Sequence, residues 1–186
     1  MTTTNVLTLV GSLRTGSTNA QLAQTAASLA PAGVDVTIYE GLADVPFYNE
    51  DIDVEGSVPA AAAKLREAAN AADSFLVVSP EHNGTMPAVL KNAIDWLSRP
   101  YGAGAVAGKP AAVIGTAFGQ FGGVWAHDDA RKSLAIAGAK VVEDAKLSVA
   151  NSVVRFAETH PTDDAEVAGQ VAEVMATLAA ASTAAA

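Results

Sequence analysis

The sequence predicts a doubly wound α/β domain, a mainly parallel sheet with helices on both faces. Three observations predict it. Short β-rich apolar runs such as "NVLTLV" (5–10) and "SFLVVSP" (74–80) end in turn residues, as strands buried on both faces do. Segments with apolar residues at helical spacing separate these runs. The two kinds alternate five times along 186 residues, a length that most simply means one domain and a pattern that requires right-handed crossovers.

Each element follows from a local signal. "NVLTLV" closes on Gly11 as the first strand. Thr18 and Gln21 then stand at capping-box spacing, and Leu22, Ala26 and Leu29 recur at helical intervals until Pro31. "GVDVTIYE" (33–40) alternates as a strand, and "GLADVPFYNEDIDVEGS" (41–57) reads as a long polar connection. Val58, Ala61, Ala62, Leu65 and Ala69 mark a second helix ahead of the strand at 74–80. A third helix opens with Pro87 in its first turn, where the missing N–H costs nothing, and buries Val89, Leu90, Ala93, Ile94 and Leu97. "PAAVIGTA" (110–117) is the fourth strand. A helix over about 123–137, a fifth strand within 139–150 and a helix carrying Val167, Val171, Val174 and Leu178 complete the chain. The alanine-rich end, 179–186, is expected to fray.

Composition narrows the partners. Half the residues are apolar, so the chain is expected to be a soluble globular protein. A formal charge of −9 repels nucleic acid and anionic membranes, so a bound anion must be held locally. The absence of cysteine excludes disulfides, thiolate nucleophiles and cysteine metal sites. No basic leader precedes the first apolar run, and no segment approaches the roughly 18 apolar residues of a membrane span. A cytoplasmic location is therefore expected.

In open α/β sheets ligands bind beyond the carboxyl ends of the strands. Three loops qualify. "GSLRTGSTN" (11–19) lacks both the dinucleotide G-x-G-x-x-G and the lysine of a triphosphate loop. It offers instead Ser12, Ser17, Thr18 and Asn19 as side-chain donors, with Gly11 and Gly16 for close approach, a helix N-terminus behind, and Arg14, the only basic side chain before Lys64. That set suits a phosphate monoester. "SPEHNGTMP" (79–87) supplies a polar edge for a planar heterocycle, and "GTAFGQFGG" (115–123) carries four glycines that could pack against the ring's other side.

"GSLRTGSTN" together with "PEHNGTMPAVLKNAIDWLSRP" closely resembles the NADPH-dependent FMN reductase family of flavodoxin-like proteins, which includes quinone, chromate and azo-dye reductases. The resemblance covers roughly residues 5–150. It implies a flavodoxin-like five-stranded sheet of order 2-1-3-4-5, with FMN as cofactor and NADPH or NADH as electron donor. It also implies hydride transfer through the flavin to a quinone-like small acceptor, and a homodimer or homotetramer. By that resemblance the first loop holds the FMN phosphate with Gly11, Ser12, Leu13, Arg14, Ser17, Thr18 and Asn19. The second borders the isoalloxazine with Pro80, Glu81, His82, Asn83, Gly84 and Thr85. The third touches the flavin with Thr116, Ala117, Gly119, Gly122 and Gly123. The chain departs from the family at His82, where tyrosine is usual, at Gly84-Thr85, where tyrosine-serine is frequent, and at Ala88, often glycine. Losing the aromatic wall at 84 should widen the space beside the ring.

No catalytic side chain is expected, because the cofactor carries the chemistry. Glu81 stays open as a general base and His82 as a proton donor to a reduced quinone, but a carboxylate at the mouth of a strand more often fixes a neighbouring loop or subunit. His127 and His160 lack partners at metal-ligand spacing, and no metal site is expected. Asp128-Asp129 is read as a solvated helix face, Lys91 and Asp95 as a surface ion pair, and Phe118 and Phe121 stay unassigned between core, lid and stacking roles. Trp96 interrupts what reads as the polar face of its helix, so an exposed tryptophan at a self-association surface is expected, with Arg99 either pairing across that surface or solvated at the helix C-terminus. Two other classes stay open beside the enzyme: a flavodoxin-type electron carrier and a ligand-binding domain without flavin.

Overall fold

The computed structural model describes residues 3–185. β1 (Thr4–Val10), β2 (Val34–Ile38), β3 (Ser74–Val78), β4 (Pro110–Thr116) and β5 (Lys140–Val149) form a single sheet in the order β2-β1-β3-β4-β5, every pair parallel. The helices are α1 (Thr18–Ser28), α2 (Ala60–Ala71), α3 (Ala88–Leu97), α4 (Val124–Ile136), the one-turn α5 (Ser152–Arg155) and α6 (Ala165–Ala185).

Strand residues alternate between two cores, because successive side chains point to opposite faces of the sheet. Leu7, Leu9, Phe75, Val77, Ala111 and Val113 face α2, α3 and α4, meeting Leu65, Leu90, Ile94 and Leu134. Val6, Val10, Leu76, Val78, Ala112 and Ile114 face α1 and α6, meeting Leu22, Ala26, Val171, Met175 and Leu178. β3 and β4 are buried along their whole length, as central strands between two helical layers must be. β5 is an edge strand with an irregular register: Ala111 pairs with Val141, and two residues on Val113 pairs with Lys146.

Several expectations need correction. The α1 cap is Ser17, one residue before the expected Thr18, and its Oγ accepts from Ala20 N–H at 3.3 Å. Pro87 is the N-cap of α3 rather than its first helical residue. Among the described residues α6 extends through Ala185, and Ala186 lies outside them.

Trp96 is fully buried, not exposed. The 41–57 segment, read as a polar connection, contains two short 3-10 turns and folds back over α3. Pro46 O accepts the Trp96 indole N–H at 2.7 Å, the Tyr48 ring stands edge-on at 5.0 Å, and the Arg66 guanidinium lies 5.1 Å above the indole. Asn92 works beside it, accepting from Tyr48 N–H at 2.8 Å and donating to Pro46 O at 3.0 Å. The apparent polar face of α3 is thus an internal seam whose polar groups match backbone groups of the covering segment. Lys91 and Asp95 do form an exposed i,i+4 ion pair at 2.6 Å, and Arg99 lies over the Tyr48 ring at 5.6 Å.

Candidate active site

The loop after β1 is built to leave donors free. Gly11 N–H is taken by Val78 O at 2.8 Å, and a Cβ on Gly11 would come within 2.5 Å of Leu90, so this glycine lets β1 end against α3. Beyond it the chain turns through Gly16, at φ 67°, into α1. Among the described residues, the N–H groups of Leu13, Arg14, Thr15, Gly16, Thr18 and Asn19 have no protein acceptor. Arg14 is exposed, and among the described residues it meets no carboxylate and reaches only Thr15 O, at 3.4 Å. The positive end of α1 backs the whole row.

Asn19 departs from the expected pattern of side-chain donors. Its Nδ2 donates to Thr116 O at 2.9 Å and its Oδ1 accepts from Thr116 N–H at 3.0 Å, both buried. The side chain clamps α1 to the end of β4, leaving its main-chain N–H free. The Thr116 hydroxyl donates to Val149 O at 2.8 Å, which carries the clamp on to β5.

The loop after β3 is a tight turn. His82 and Thr85 exchange both backbone bonds, at 3.0 and 3.2 Å, around Asn83 and Gly84, which sit at φ 53° and 78°. Positive φ at both central positions is the conformation that Asn-Gly favours. Among the described residues this leaves the N–H groups of Glu81, Asn83 and Gly84 without acceptors. A Cβ on Gly84 would have no heavy atom within 4 Å, so the space beside the turn is open.

α4 holds this turn from behind. Glu81 Oε2 accepts from Ala126 N–H at 3.3 Å, capping the helix as an anchoring carboxylate would. Thr85 Oγ1 donates to Asp129, so Asp129 belongs to the site's scaffold rather than to a solvated face, while Asp128 pairs with Arg131. His127, fully buried, lies 2.8 Å from Ser79 O and 2.6 Å from Ser148 Oγ. Burial lowers its pKa below the ordinary 6.5, with the bond to Ser79 opposing that shift.

In the third loop, Gly122 and Gly123 have φ of 65° and 89° and turn inward. A Cβ on Gly122 would lie 2.8 Å from the Val149 carbonyl carbon, so this glycine serves the approach of the loop to β5, whereas a Cβ on Gly123 would meet the His127 ring and Ala117. Ala117 is tied on both sides, its N–H to Val149 O at 3.3 Å and its O to Ser152 N–H at 3.0 Å.

The loops converge on one pocket of 160 Å³. Its lining joins Ser12, Arg14, Ser17, Thr18 and Asn19 to Pro80, Glu81 and His82, and these to Thr116 and Ala117. Gly11, Leu13, Asn83, Gly84, Thr85, Gly119, Gly122 and Gly123 lie outside that lining. Phe118 and Ser152 are in it. Ser152 gave no sequence signal, since it is brought in by the turn at Asn151, which has φ 58°. The volume is below the roughly 300–1,000 Å³ that encloses a whole drug-sized ligand. It therefore suits the anionic head of a ligand whose planar part lies along the open turn at 82–85. A wider groove of 640 Å³ between α3 and the end of α4 lies away from the carboxyl ends of the strands, where ligands bind in such sheets.

The sequence profile of the NADPH-dependent FMN reductases matches residues 4–153. The chain belongs to that family. The donor set fits FMN on the structure's own terms: unpaired amides, hydroxyls and the Arg14 guanidinium at a helix N-terminus suit its phosphate, and the free N–H groups of Glu81, Asn83 and Gly84 suit the polar edge of its ring. Within the family, a quinone reductase of Pseudomonas putida is 44% identical over 130 residues, covering 70% of this chain and 69% of the relative. The quinone reductase of Escherichia coli K12 is 39% identical over 141 residues, covering 74% and 72%. Among solved structures, the flavoenzyme NAD(P)H:(acceptor) oxidoreductase FerB of Paracoccus denitrificans superposes with a TM-score of 0.78 at 27% identity, covering 96% of this chain and 98% of that one.

Proposed function

We propose that this FMN reductase family member passes a hydride from NADPH or NADH, by way of bound FMN, to quinones or similar small acceptors. The observation that carries the reading is the row of unpaired amides and Arg14, which meets no carboxylate among the described residues, at the α1 N-terminus, facing the 79–87 loop across one pocket. The relatives named quinone reductase support the acceptor class.

The bound flavin supplies the two-electron chemistry. Arg14, the N–H groups of residues 13–16 and the hydroxyls of Ser12, Ser17 and Thr18 hold its phosphate. The N–H groups of Glu81, Asn83 and Gly84 orient the ring's polar edge. Pro80, Ala117 and Phe118 flank the cleft and exclude water from one side. Glu81 acts as the anchor that ties this loop to α4, because its carboxylate already accepts from Ala126. Gly84 leaves one side of the ring open, which suits successive binding of donor and acceptor in the same place. The absence of phenylalanine, tyrosine and tryptophan between residues 79 and 87 favours this over a carrier with an enclosed ring.

Self-association as a dimer or tetramer belongs to the same proposal. With Trp96 buried, its support moves to Tyr101 and Ile136, exposed at 89% and 74% along the groove between α3 and α4. None of the described helices is long and apolar enough to cross a membrane, and we place the protein in the cytoplasm.

The test is an absorbance spectrum of purified protein with FMN, followed by anaerobic titration with each nicotinamide and then with benzoquinone. The flavin band near roughly 450 nm should bleach with the donor and return with the quinone. Uptake of FMN without bleaching would leave an electron carrier, and no uptake would leave a flavin-free domain.

A further inference from the structure

The imidazole of His127 touches the ends of three strands. Ser79 O follows β3 and is a pure acceptor, so the ring nitrogen facing it, Nε2, carries the proton and donates at 2.8 Å. Nδ1 is then an acceptor, and Ser148 Oγ, on β5, donates to it at 2.6 Å. The third strand contributes by having no side chain. A Cβ on Gly115 of β4 would lie 2.0 Å from Ser79 O and 2.4 Å from Nε2, in the space through which the bond runs. A Cβ on Gly123, the α4 N-cap, would come within 3.2 Å of the same nitrogen. A buried histidine, a serine and two glycines are therefore arranged around one hydrogen bond.

That bond holds the Ser79–Pro80 peptide, from which the 79–87 loop departs. The plane of this peptide sets where the N–H groups of Glu81, Asn83 and Gly84 begin. The neighbouring ties from α4, Ala126 N–H to Glu81 and Asp129 to Thr85, fix the rest of the loop but not its root.

We propose that His127 is a positioning residue for the flavin ring: its imidazole holds the Ser79–Pro80 peptide against β4 and β5 and so sets the placement of the loop's N–H groups. The assignment rests on the flavin reading given above. It does not require His127 to meet the cofactor.

The test compares H127Q, H127L and S148A with wild type in affinity for FMN and for riboflavin, and in the midpoint potential of bound FMN. A glutamine amide donates and accepts at the same spacing, so H127Q should stay within about twofold of wild type, whereas H127L loses both bonds and should bind each flavin about tenfold more weakly. Its potential should fall, because N–H donors at the ring stabilise the reduced form more than the oxidised form. Equal loss for the two flavins marks the ring loop rather than the phosphate loop. Folded H127L with wild-type affinities and potential overturns the proposal. So does H127Q as damaged as H127L, or a loss confined to FMN. Should H127L fail to fold, S148A decides: a parallel loss for both flavins beside an intact H127Q supports the assignment, and no change overturns it. Wild-type protein that takes up no flavin overturns the underlying flavin reading as well.

Discussion

Replacing Asn19 by alanine should loosen the join between the first and third loops. Both ends of its amide meet the backbone of Thr116, at 2.9 and 3.0 Å, and both bonds are buried. Each lost bond costs about 1 kcal/mol, and the Thr116 N–H left without an acceptor adds about 1–3 kcal/mol. Helix propensity returns only a few tenths, so the net loss should be about 2.5–4.5 kcal/mol. For a chain of this length each kcal/mol lowers the melting temperature by about 2–4 °C, which places the variant about 10 °C below wild type. Asn19→Asp separates the two bonds. It keeps the acceptor for Thr116 N–H but sets a carboxylate oxygen against Thr116 O, so it should not rescue. The assay is thermal unfolding by circular dichroism with and without FMN. A melting temperature for Asn19→Ala within about 2 °C of wild type, or an aspartate variant equal to wild type, would refute the clamp.

Arg14→Ala should weaken FMN binding by about 10- to 100-fold, the loss of a charged hydrogen bond, with little change for riboflavin and none in melting temperature. Fluorescence titration of both flavins checks it, and equal losses would mean that the guanidinium does not meet the phosphate. Trp96→Phe removes the donor to Pro46 O and should lower stability by about 1–2 kcal/mol. Limited proteolysis should then nick the 41–57 segment first. The pH dependence has two limbs. His127 has a lowered folded pKa, so below its ordinary 6.5 the unfolded chain binds the proton more readily and stability declines as pH falls. Asp164, held down to about 2 chiefly by its hydrogen bonds to Arg155, gives stability that is complete above its ordinary 3.8 and lost as pH falls toward 2. Urea midpoints across pH should show H127Q flattening the first limb and Asp164→Asn the second.

The fold was legible from local signals wherever a signal was strong. The three apolar runs at 5–10, 74–80 and 110–117 became β1, β3 and β4, and each intervening helix appeared within a few residues of its expected bounds. The cap of α1 slipped by one residue because Ser17 and Thr18 offer the same hydroxyl chemistry in succession, and only the chain's path through Gly16 chose between them. Trp96 was misread for a different reason. Helical periodicity assigns a face by its neighbours in sequence, and nothing local announces that residues 41–57 return to cover a face carrying Asn92 and Trp96.

The same division runs through the candidate site. By itself the sequence determined that three polar, turn-rich loops follow parallel strands, that the first carries a lone arginine among hydroxyls, and which family motifs they match, since these are properties of residue order and backbone preference. Tertiary structure decided which donors are free. Asn19 is engaged by Thr116 and Glu81 by α4, while the amides beside Arg14 stay unpaired. His127, Asp129 and Ser152 entered only when α4 and α5 came to rest beside the strand ends. A hydrogen bond between residues tens of positions apart depends on packing that no short window of sequence contains, so the scaffold behind the loops becomes visible only once the chain has folded.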